Sequence, residues 1–428
     1  METSKAIKEN SYAIYGLGLS GTSVHKFLKR KKVEKIYTWD DKKNFKNEKK
    51  LNLFRKVLNK VDYIVVSPGI NIKKTRFKSI LSKNKKKIIT DLDLFYMQNL
   101  PVKTIVVTGT NGKSTTCKLI QHVIKTNKVD AQLGGNIGKP ILDLKITKNS
   151  IVIIEASSFQ LFFSKFIKPT YAAILNITKD HLDWHGTIKN YQNSKFNIFL
   201  KQDNQDYALL HSQELINRFK KSFFLRKLKK IKRDIVEKSL KKNIQNKYLL
   251  SEPNIENLSF VYKISTILRI KKKIILQALN TFKGLPHRNE IFYKKREITF
   301  INDSKATSFE AAQHTLRNNK NIFWIIGGVP KLGDKFNLQN VSKNIIRSYI
   351  IGKKTNYFKK QLRKIVRYKL SFNLENAIQD IFKDLILFKK KQATVLLSPA
   401  SASYDQFKDF VERGNQFKKL TLKYARKF

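Results

Sequence analysis

Residues 103–124 read KTIVVTGTNGKSTTCKLIQHVI, an apolar run, a glycine turn and a stretch with helical spacing of apolar residues. Gly109 and Gly112 let backbone N–H groups approach a phosphate, because glycine has no Cβ. Lys113 supplies a cation for phosphate oxygens, the hydroxyl side chains after it suit Mg²⁺, and the helix N-terminus faces the anion. The stretch therefore predicts a strand, a phosphate-binding loop and a helix, although its two glycines are closer together than in the common pattern.

A second glycine pattern, G-x-G-x-x-G, occupies residues 16–21, between a short apolar run and an amphipathic stretch. The next apolar run ends in acid at Asp40. This combination is typical of units that bind a dinucleotide. Glycines and a helix N-terminus bind any diphosphate, however. An NAD-dependent dehydrogenase would leave the loop at Lys113 unexplained, so we favour another pyrophosphate as the ligand and keep the dehydrogenase as an alternative.

The length of 428 residues suggests about three domains at roughly 150 residues each. A single cysteine, Cys117, excludes an internal disulfide framework and fits a reducing cytoplasm. No apolar run reaches the roughly 18 residues of a membrane span, and residues 1–12 lack a signal-peptide pattern. We therefore expect a cytoplasmic protein without membrane insertion.

The formal net charge is +55, from 87 basic and 32 acidic residues. A basic NTPase that binds nucleic acid would concentrate this charge in a patch or tail and add base-stacking aromatic residues. Here the lysines are scattered over almost every segment, so we expect no nucleic-acid partner and keep such an NTPase as the weaker alternative. The basic field would still attract anionic substrates.

Short apolar runs alternate with lysine-rich helical stretches along most of the chain, which predicts an α/β protein. New units open after Pro101 and after the sequence GLPHRNE. We predict three domains, at residues 1–99, 100–285 and 286–428. The charged stretch at residues 223–248 fits a helix, a sheet or a mobile insertion equally well, and it stays open.

Six motifs resemble the Mur ligase family: TGTNGKST, EASSFQL, LNITKDHLDWHG, GLPHRNE, INDSKATS and LLSPASASYDQF with ERGNQF. The resemblance runs over about residues 12–417. It implies an N-terminal Rossmann-like domain for a UDP-sugar, a central P-loop ATPase-like domain, and a C-terminal Rossmann-like domain for an amino acid. The last block and YGLGLSG are most similar to members that add D-glutamate to UDP-N-acetylmuramoyl-L-alanine in peptidoglycan precursor synthesis.

The implied reaction joins a carboxylate to an amine with ATP, through an acyl phosphate, and it needs cations around crowded phosphate oxygens. The resemblance implies catalytic roles for Lys113, Glu155, His181 and Lys195. The implied Mg²⁺ ligands are Ser114, Glu155, His181 and Lys195. Lys195 aligns with a lysine that the family carries as a carbamate, which requires a desolvated, neutral amine.

The resemblance also assigns three sets of substrate contacts. Those for ATP are Gly109, Thr110, Asn111, Gly112, Lys113, Ser114, Thr115, Asn257, Arg288, Asp303 and Lys305. Those for the UDP-substrate are Gly18, Leu19, Ser20, Asp40, Ser67, Gly69 and Asn136. Those for D-glutamate are Thr307, Lys331, Ser403 and the backbone near Phe410.

We expect a monomer whose partners are these small molecules. A sibling Mur ligase or a folylpolyglutamate synthase-like amide ligase remains an alternative, because all share the ATP loop.

Overall fold

The computed structural model describes residues 7–44, 47–223, 227–231, 240–246, 248–250, 252–331, 333–388, 392–426 and 428. They form two compact units, a first unit over Met1–Phe282 and a second unit over Lys283–Phe428. The predicted boundaries at 99/100 and 285/286 remain predictions. Of the segment left open at 223–248, residues 224–226, 232–239 and 247 lie outside the described residues.

The first unit begins with a four-stranded parallel sheet in the order β2-β1-β3-β4. Its strands are β1 Tyr12–Tyr15, β2 Ile36–Trp39, β3 Tyr63–Val66 and β4 Ile88–Ile89. Its helices are α1 Leu19–Arg30, α2 Asp41–Asn44, α3 Glu48–Lys60, α4 Lys78–Lys83 and α5 Asp91–Tyr96, with 3₁₀ turns at Ile72–Lys74 and Lys85–Lys87. The glycine pattern of residues 16–21 joins the central strand β1 to α1, as its sequence predicts.

Helix α1 lies close to this loop because Gly21 has no side chain. A Cβ on Gly21 would overlap the carbonyl oxygen of Gly16, whereas a Cβ on Gly18 would meet nothing within 4 Å. Gly16 itself has a φ of +93°, a conformation that favours glycine. The pattern therefore has a packing role at Gly16 and Gly21, and it leaves open space at Gly18.

A six-stranded parallel sheet follows in the order β10-β9-β8-β5-β7-β6. Its strands are β5 Lys103–Thr108, β6 Ala131–Gly135, β7 Ile151–Glu155, β8 Tyr171–Ile174, β9 Tyr207–Leu210 and β10 Lys227–Lys230. The helices of this region are α6 Lys113–Thr126, α7 Ser158–Phe163, α8 Leu182–His185, α9 Ile188–Phe196, α10 Gln213–Phe223, α11 Glu252–Ile267 and α12 Lys272–Thr281. Further 3₁₀ turns are at Ile141–Asp143, Asn197–Phe199 and Lys241–Asn243.

Helix α6 packs onto this sheet through an apolar face with helical spacing. Leu119, Ile120, Val123 and Ile124 are buried in one core with strand residues of β5 and β7. Strand β5 lies between β8 on one side and β7 on the other. The loop that follows β5 therefore lies at a change in strand order. Open α/β sheets bind ligands at such a point.

Two buried carboxyl groups of α5, those of Asp91 and Asp93, connect this helix to α7 and to the segment that follows α7. Asp93 accepts hydrogen bonds from the N–H groups of Lys165 at 2.7 Å and Phe166 at 2.8 Å, and burial raises its pKa to about 6. Asp91 accepts from the Gln160 side chain at 3.1 Å, and burial raises its pKa as well. The two sheets of the first unit are thus joined by oriented polar contacts.

The second unit holds a six-stranded sheet in the order β11-β12-β16-β13-β14-β15, parallel except for β11. Its strands are β11 Glu290–Lys295, β12 Ile298–Asn302, β13 Ile322–Gly327, β14 Ile345–Ile351, β15 Tyr368–Phe372 and β16 Ala393–Leu397. Its helices are α13 Phe309–Asn318, α14 Thr355–Leu362, α15 Leu374–Leu387 and α16 Phe410–Ala425, with a 3₁₀ turn at Ser342–Asn344. The α/β class predicted from the sequence is confirmed. Within the described ranges, no helix is long and apolar enough to cross a membrane.

The packing at Gly21 gives a test of the first sheet. We expect Gly21→Ala to lower the free energy of unfolding by about 2 kcal/mol or more. The clash with the Gly16 carbonyl should outweigh the roughly 1 kcal/mol that alanine gains over glycine inside a helix. Gly18→Ala, the matched control, should change it by less than about 1 kcal/mol. Urea unfolding of both variants measures this, and equal effects would contradict the close contact.

Candidate active site

The phosphate loop turns sharply into α6 at Gly112, whose φ is +83°. The ammonium of Lys113 folds back over the loop and donates to the carbonyl oxygens of Gly109 at 2.9 Å and Thr110 at 2.8 Å. A Cβ at Gly112 would overlap the amide of Asn257, so this side chain of α11 lies directly against the loop. The structure thus brings the predicted ATP contacts of α11 and the loop together.

Neighbouring segments hold the rest of the loop. The N–H of Thr110 donates to the Asn176 carbonyl at 2.9 Å, and the N–H of Asn111 donates to the Asn176 side chain at 2.9 Å. The hydroxyl of Thr110 lies 3.0 Å from that of Tyr191. Thr115 is buried in the first turn of α6. The loop after β8 therefore orders the loop after β5.

Lys195 comes from α9 and is almost completely buried. Its ammonium donates to the Gly109 carbonyl at 2.8 Å and lies 4.5 Å from the centre of the Tyr191 ring. Burial, together with the charge of Lys113, lowers the pKa of Lys195 to about 6, against the opposing charge of Asp180. The neutral amine is therefore accessible at neutral pH, an unusual state for a lysine.

Glu155 is the last residue of β7 and is paired with Val107 of β5, one position before the end of that strand. Its Oε1 accepts from the Asn136 side chain at 2.9 Å, while its buried Oε2 finds no donor among the described residues. Ser114 is also buried, in the first turn of α6. A buried carboxylate oxygen without a donor is suited to a hard cation.

His181 is the N-cap residue of α8, with a φ of +52°, and its side chain is 45% exposed. Its ring lies 6.3 Å from that of Tyr191. Burial, Lys113 and Lys195 together lower its pKa, although Asp180 opposes them. A neutral imidazole is the form that binds metal. In the part of the chain that the structure describes, no group of three or more His, Cys, Asp or Glu side chains forms a metal site.

Two side chains next to this region were missed in the sequence. His185 is buried, and its Nε2 lies 3.0 Å from the hydroxyl of Ser158. Burial lowers the pKa of His185 to about 4, so the ring is neutral. Its Nδ1 and the Nε1 of Trp184 are buried without a partner among the described residues. Only their place in the motif KDHLDWHG could have indicated them.

The predicted UDP contacts of the first sheet gather at the carboxyl ends of β1, β2 and β3. Leu19, the first residue of α1, is 85% exposed beside the open space at Gly18. Asp40 accepts from the N–H of Leu17 at 2.7 Å, and Ser67 donates to the Gly16 carbonyl at 2.8 Å. Ser20 is the second residue of α1, and Gly69 lies in the loop after β3.

Asp40 and Ser67 thus order the glycine loop, and their contact with a UDP group stays a prediction. Asn136, the remaining residue of that set, lies beside Glu155 in the second sheet.

In the second unit, the predicted D-glutamate contacts lie in loops at the carboxyl ends of β12, β13 and β16. Thr307 follows β12, Lys331 follows β13 and Ser403 follows β16, with the first two exposed and the third buried. Phe410 is the first residue of α16. Because the three strands are adjacent, parallel and end at one edge, the sheet brings these loops together.

The predicted ATP residues of the second unit lie in and beside the same loops. Asp303 accepts from Thr315 and Ser398, each at 2.9 Å, and from the N–H of Asn289 at 3.0 Å. Burial raises its pKa to about 6. Lys305 lies 5.4 Å above the Phe410 ring. The contacts of Asp303, Lys305 and Arg288 with ATP stay predictions.

Comparison with known proteins identifies the family. Residues 10–89 match the model of the "Mur ligase MurD-like, N-terminal domain", and residues 107–278 match that of the "Mur ligase middle domain". A UDP-N-acetylmuramoylalanine–D-glutamate ligase of Rickettsia felis is 33% identical over 443 residues, covering 96% of this chain and 97% of the relative. The chain belongs to the Mur ligase family. A protein of the same name from Fusobacterium nucleatum is 32% identical over 96% of this chain and 98% of its own.

Solved structures of Mur ligases share the fold. The UDP-N-acetylmuramate–alanine ligase MurC of Thermotoga maritima has a TM-score of 0.58 at 17% identity, covering 98% of this chain and 100% of its own. The MurF ligase of Thermotoga maritima, solved in complex with ADP, has a TM-score of 0.54 at 15% identity and covers 99% of this chain and 97% of its own. At such identities the comparison shows the Mur ligase fold alone.

The raised pKa of Asp303 predicts a pH dependence of stability. The folded state favours the protonated carboxyl of Asp303. Asp303 therefore makes its full contribution to the free energy of unfolding below about pH 4, and this contribution is lost as pH rises through about 6. Asp303→Asn lacks this titration. The stability of the wild type relative to this variant should therefore fall by roughly 2–3 kcal/mol between pH 4 and pH 7 in chemical denaturation. Glu297→Gln removes an exposed acid of the same unit as a control, and parallel curves for wild type and Asp303→Asn would contradict the burial argument.

Proposed function

We propose that this chain is an ATP-dependent ligase that adds D-glutamate to UDP-N-acetylmuramoyl-L-alanine, in peptidoglycan precursor synthesis. The observation that carries the proposal is the 33% identity, over nearly the full length of both chains, to ligases named for this reaction. The phosphate loop supports it, because Lys113 and the buried Lys195 and Glu155 surround the point where a nucleotide would bind.

The chemistry explains why the site is rich in cations. A carboxylate is a poor electrophile, so its oxygen first attacks the γ-phosphate of ATP and releases ADP, which leaves an acyl phosphate. The amine of the amino acid then attacks the carbonyl carbon, loses a proton, and displaces phosphate. Both steps place negative charge on crowded phosphate oxygens. Lys113 and the N–H groups at the start of α6 stabilise this charge.

The residues of the site fit magnesium. Ser114 and Glu155 would hold one Mg²⁺ with His181 as a further metal ligand, and Lys195, as a carbamate, would be a ligand of the second Mg²⁺. The fit rests on the buried Oε2 of Glu155, which has no donor among the described residues, and on the neutral imidazole favoured at His181. Mg²⁺ in this place would neutralise phosphate oxygens. Asn136 orients Glu155 through the hydrogen bond to its Oε1.

Lys195 has the environment that carbamylation requires. A neutral amine attacks carbon dioxide, a C–N bond forms, and the amine proton leaves to solvent. Only an amine with a lowered pKa is neutral often enough at neutral pH, and Lys195 is held at about 6 by burial and by Lys113. The product would replace one of two adjacent cations by an anionic oxygen ligand.

The substrates are small anions, and we place the reaction in the cytoplasm, where a nucleotide sugar and ATP are available. The first sheet would bind the UDP group through Gly18, Leu19 and Ser20, where the helix N-terminus meets open space. The loops of the second unit would bind the amino acid. D-glutamate carries two carboxylates, so the cation of Lys331 and the hydroxyls of Thr307 and Ser403 suit it.

A coupled ADP-release assay tests the proposed function. Turnover should require UDP-N-acetylmuramoyl-L-alanine and D-glutamate together, with little activity on L-glutamate and almost none on D-alanine, L-lysine or meso-diaminopimelate. An analogue without the side-chain carboxylate would leave Lys331 unpaired, and such losses reach roughly 10⁴-fold. Preference for a diamino acid would overturn the proposed amino acid, and ADP release stimulated by DNA would overturn the ligase itself.

Removal of Lys195 tests the carbamate. We expect Lys195→Ala to lose at least about 10³-fold in kcat and to recover part of it with added acetate or propionate, because a small carboxylate can replace the missing oxygen ligand. Lys189→Ala removes an exposed lysine of the same helix and should keep wild-type activity without a response to carboxylates. Full activity of Lys195→Ala would contradict the carbamate.

A further inference from the structure

Arg413, in the first turns of α16, is completely buried. Its Nε donates to the Ser304 hydroxyl at 3.0 Å, and its Nη2 donates to the carbonyls of Ser304 at 2.8 Å and Ser401 at 3.0 Å. Its Nη1 is buried without an acceptor among the residues that the structure describes. Burial lowers its pKa to about 10, which leaves the guanidinium charged at neutral pH.

This charge forms no direct ion pair, and the more distant Asp405 only partly opposes the effect of burial on the pKa of Arg413. Across the described parts of the chain, the ion pairs within 4 Å do not include Arg413. A buried, unpaired cation destabilises a fold, and an apolar side chain of similar volume often costs less. Packing alone therefore does not explain an arginine at this position, and its three neutral acceptors indicate what it does.

Those acceptors belong to two different loops of the second unit. Ser304 lies in the loop after β12, which carries Thr307, and Ser401 lies in the loop after β16, which carries Ser403. The Ser304 hydroxyl also donates to the carbonyl of Phe410 at 2.8 Å. One guanidinium thus joins both loops and the start of α16.

Backbone hydrogen bonds also join the loop after β13 to the loop after β16. Val329 and Ala402 exchange two hydrogen bonds, at 2.8 and 2.9 Å, between the loop after β13 and the loop after β16. A Cβ at the neighbouring Gly328 would overlap the Ala402 carbonyl, so the two loops are in close contact. The loop after β13 carries Lys331. All four residues predicted to hold the amino acid therefore lie on segments that Arg413 connects.

We propose that Arg413 is a positioning residue of the amino-acid subsite. Through Nε and Nη2, its guanidinium binds two loops at once and so sets the spacing of the donors that recognise an amino acid with a side-chain carboxylate. This inference rests on the proposed function. Arg413 does not touch the substrate, because it is fully buried beneath the loops. Its effect falls mainly on the affinity for the amino acid, because all four predicted contacts of the amino acid lie on the joined segments. Of the predicted ATP contacts, only Asp303 and Lys305 lie beside Ser304, and the phosphate loop in the first unit has its own anchors.

Arg413→Lys keeps the charge but loses the planar pair of donors, so it tests the proposal directly. The full-length variant should show a KM for D-glutamate raised at least about tenfold. The KM for ATP should rise by a clearly smaller factor, because Asp303 and Lys305 flank Ser304, and the KM for UDP-N-acetylmuramoyl-L-alanine should stay within about twofold of wild type. Arg347→Lys is the matched control, because Arg347 pairs with Asp384 at 2.8 Å through β14 and α15. It should lower thermal stability without a selective change in any KM.

Ser304→Ala decides the matter if Arg413→Lys does not fold. It removes the acceptor of the Arg413 Nε and should also raise the KM for D-glutamate selectively. If both single variants fold, the combined variant should show less than the product of the two effects. An unchanged KM in a folded variant, or equal increases for all three substrates, would overturn the positioning role. Absence of D-glutamate turnover in the wild type would instead overturn the proposed function.

Discussion

Two lysine ammonium groups share one backbone carbonyl at the centre of the first unit. Lys113 and Lys195 donate to the oxygen of Gly109 at 2.9 and 2.8 Å, so two like charges meet in a largely buried place. Burial first and the charge of Lys113 second lower the pKa of Lys195. A bound triphosphate would add negative charge at this point, and a carbamate on Lys195 would add an anionic group. Burial is also the main cause of the lowered pKa of His181, with further contributions from Lys113 and Lys195, so its neutral form is favoured.

Lys113 and Lys195 can meet at Gly109 because parallel sheets bring side chains from several segments to one edge. Glu155 ends β7, the phosphate loop follows β5, and the loop that orders it follows β8, which are three adjacent strands. The second unit repeats the arrangement with β12, β16 and β13. In each case adjacent strands fix the separation of the loops at the sheet edge, and short polar contacts fix the loops themselves. Asp303 and Arg413 do this in the second unit from buried positions.

Local patterns in the sequence predicted the elements whose signal is contained in a few residues. The apolar run of β5, the glycines and the apolar spacing of α6 are of this kind, and so is the glycine pattern before α1. The stretch that holds strand β10 was left open between a helix, a sheet and a mobile insertion, because KLKK has lysine at three of four positions. The structure pairs this strand with β9. The antiparallel edge strand β11 was also not recognised, since its residues alternate little and their partner is β12.

The site residues also divide into those that a local sequence motif indicates and those that only tertiary contacts reveal. Motif resemblance indicated Lys113, Glu155 and Lys195, whereas the burial of Arg413 and the unpartnered nitrogens of Trp184 and His185 depend on tertiary contacts. In a lysine-rich sequence, residue type alone does not distinguish a buried cation from the many solvated ones. The net charge of +55 attracts every anion, yet in physiological salt its field fades within about 8 Å of the surface. Selection among ATP, a UDP-sugar and an amino acid must therefore come from short-range contacts with groups that the loops hold at fixed distances.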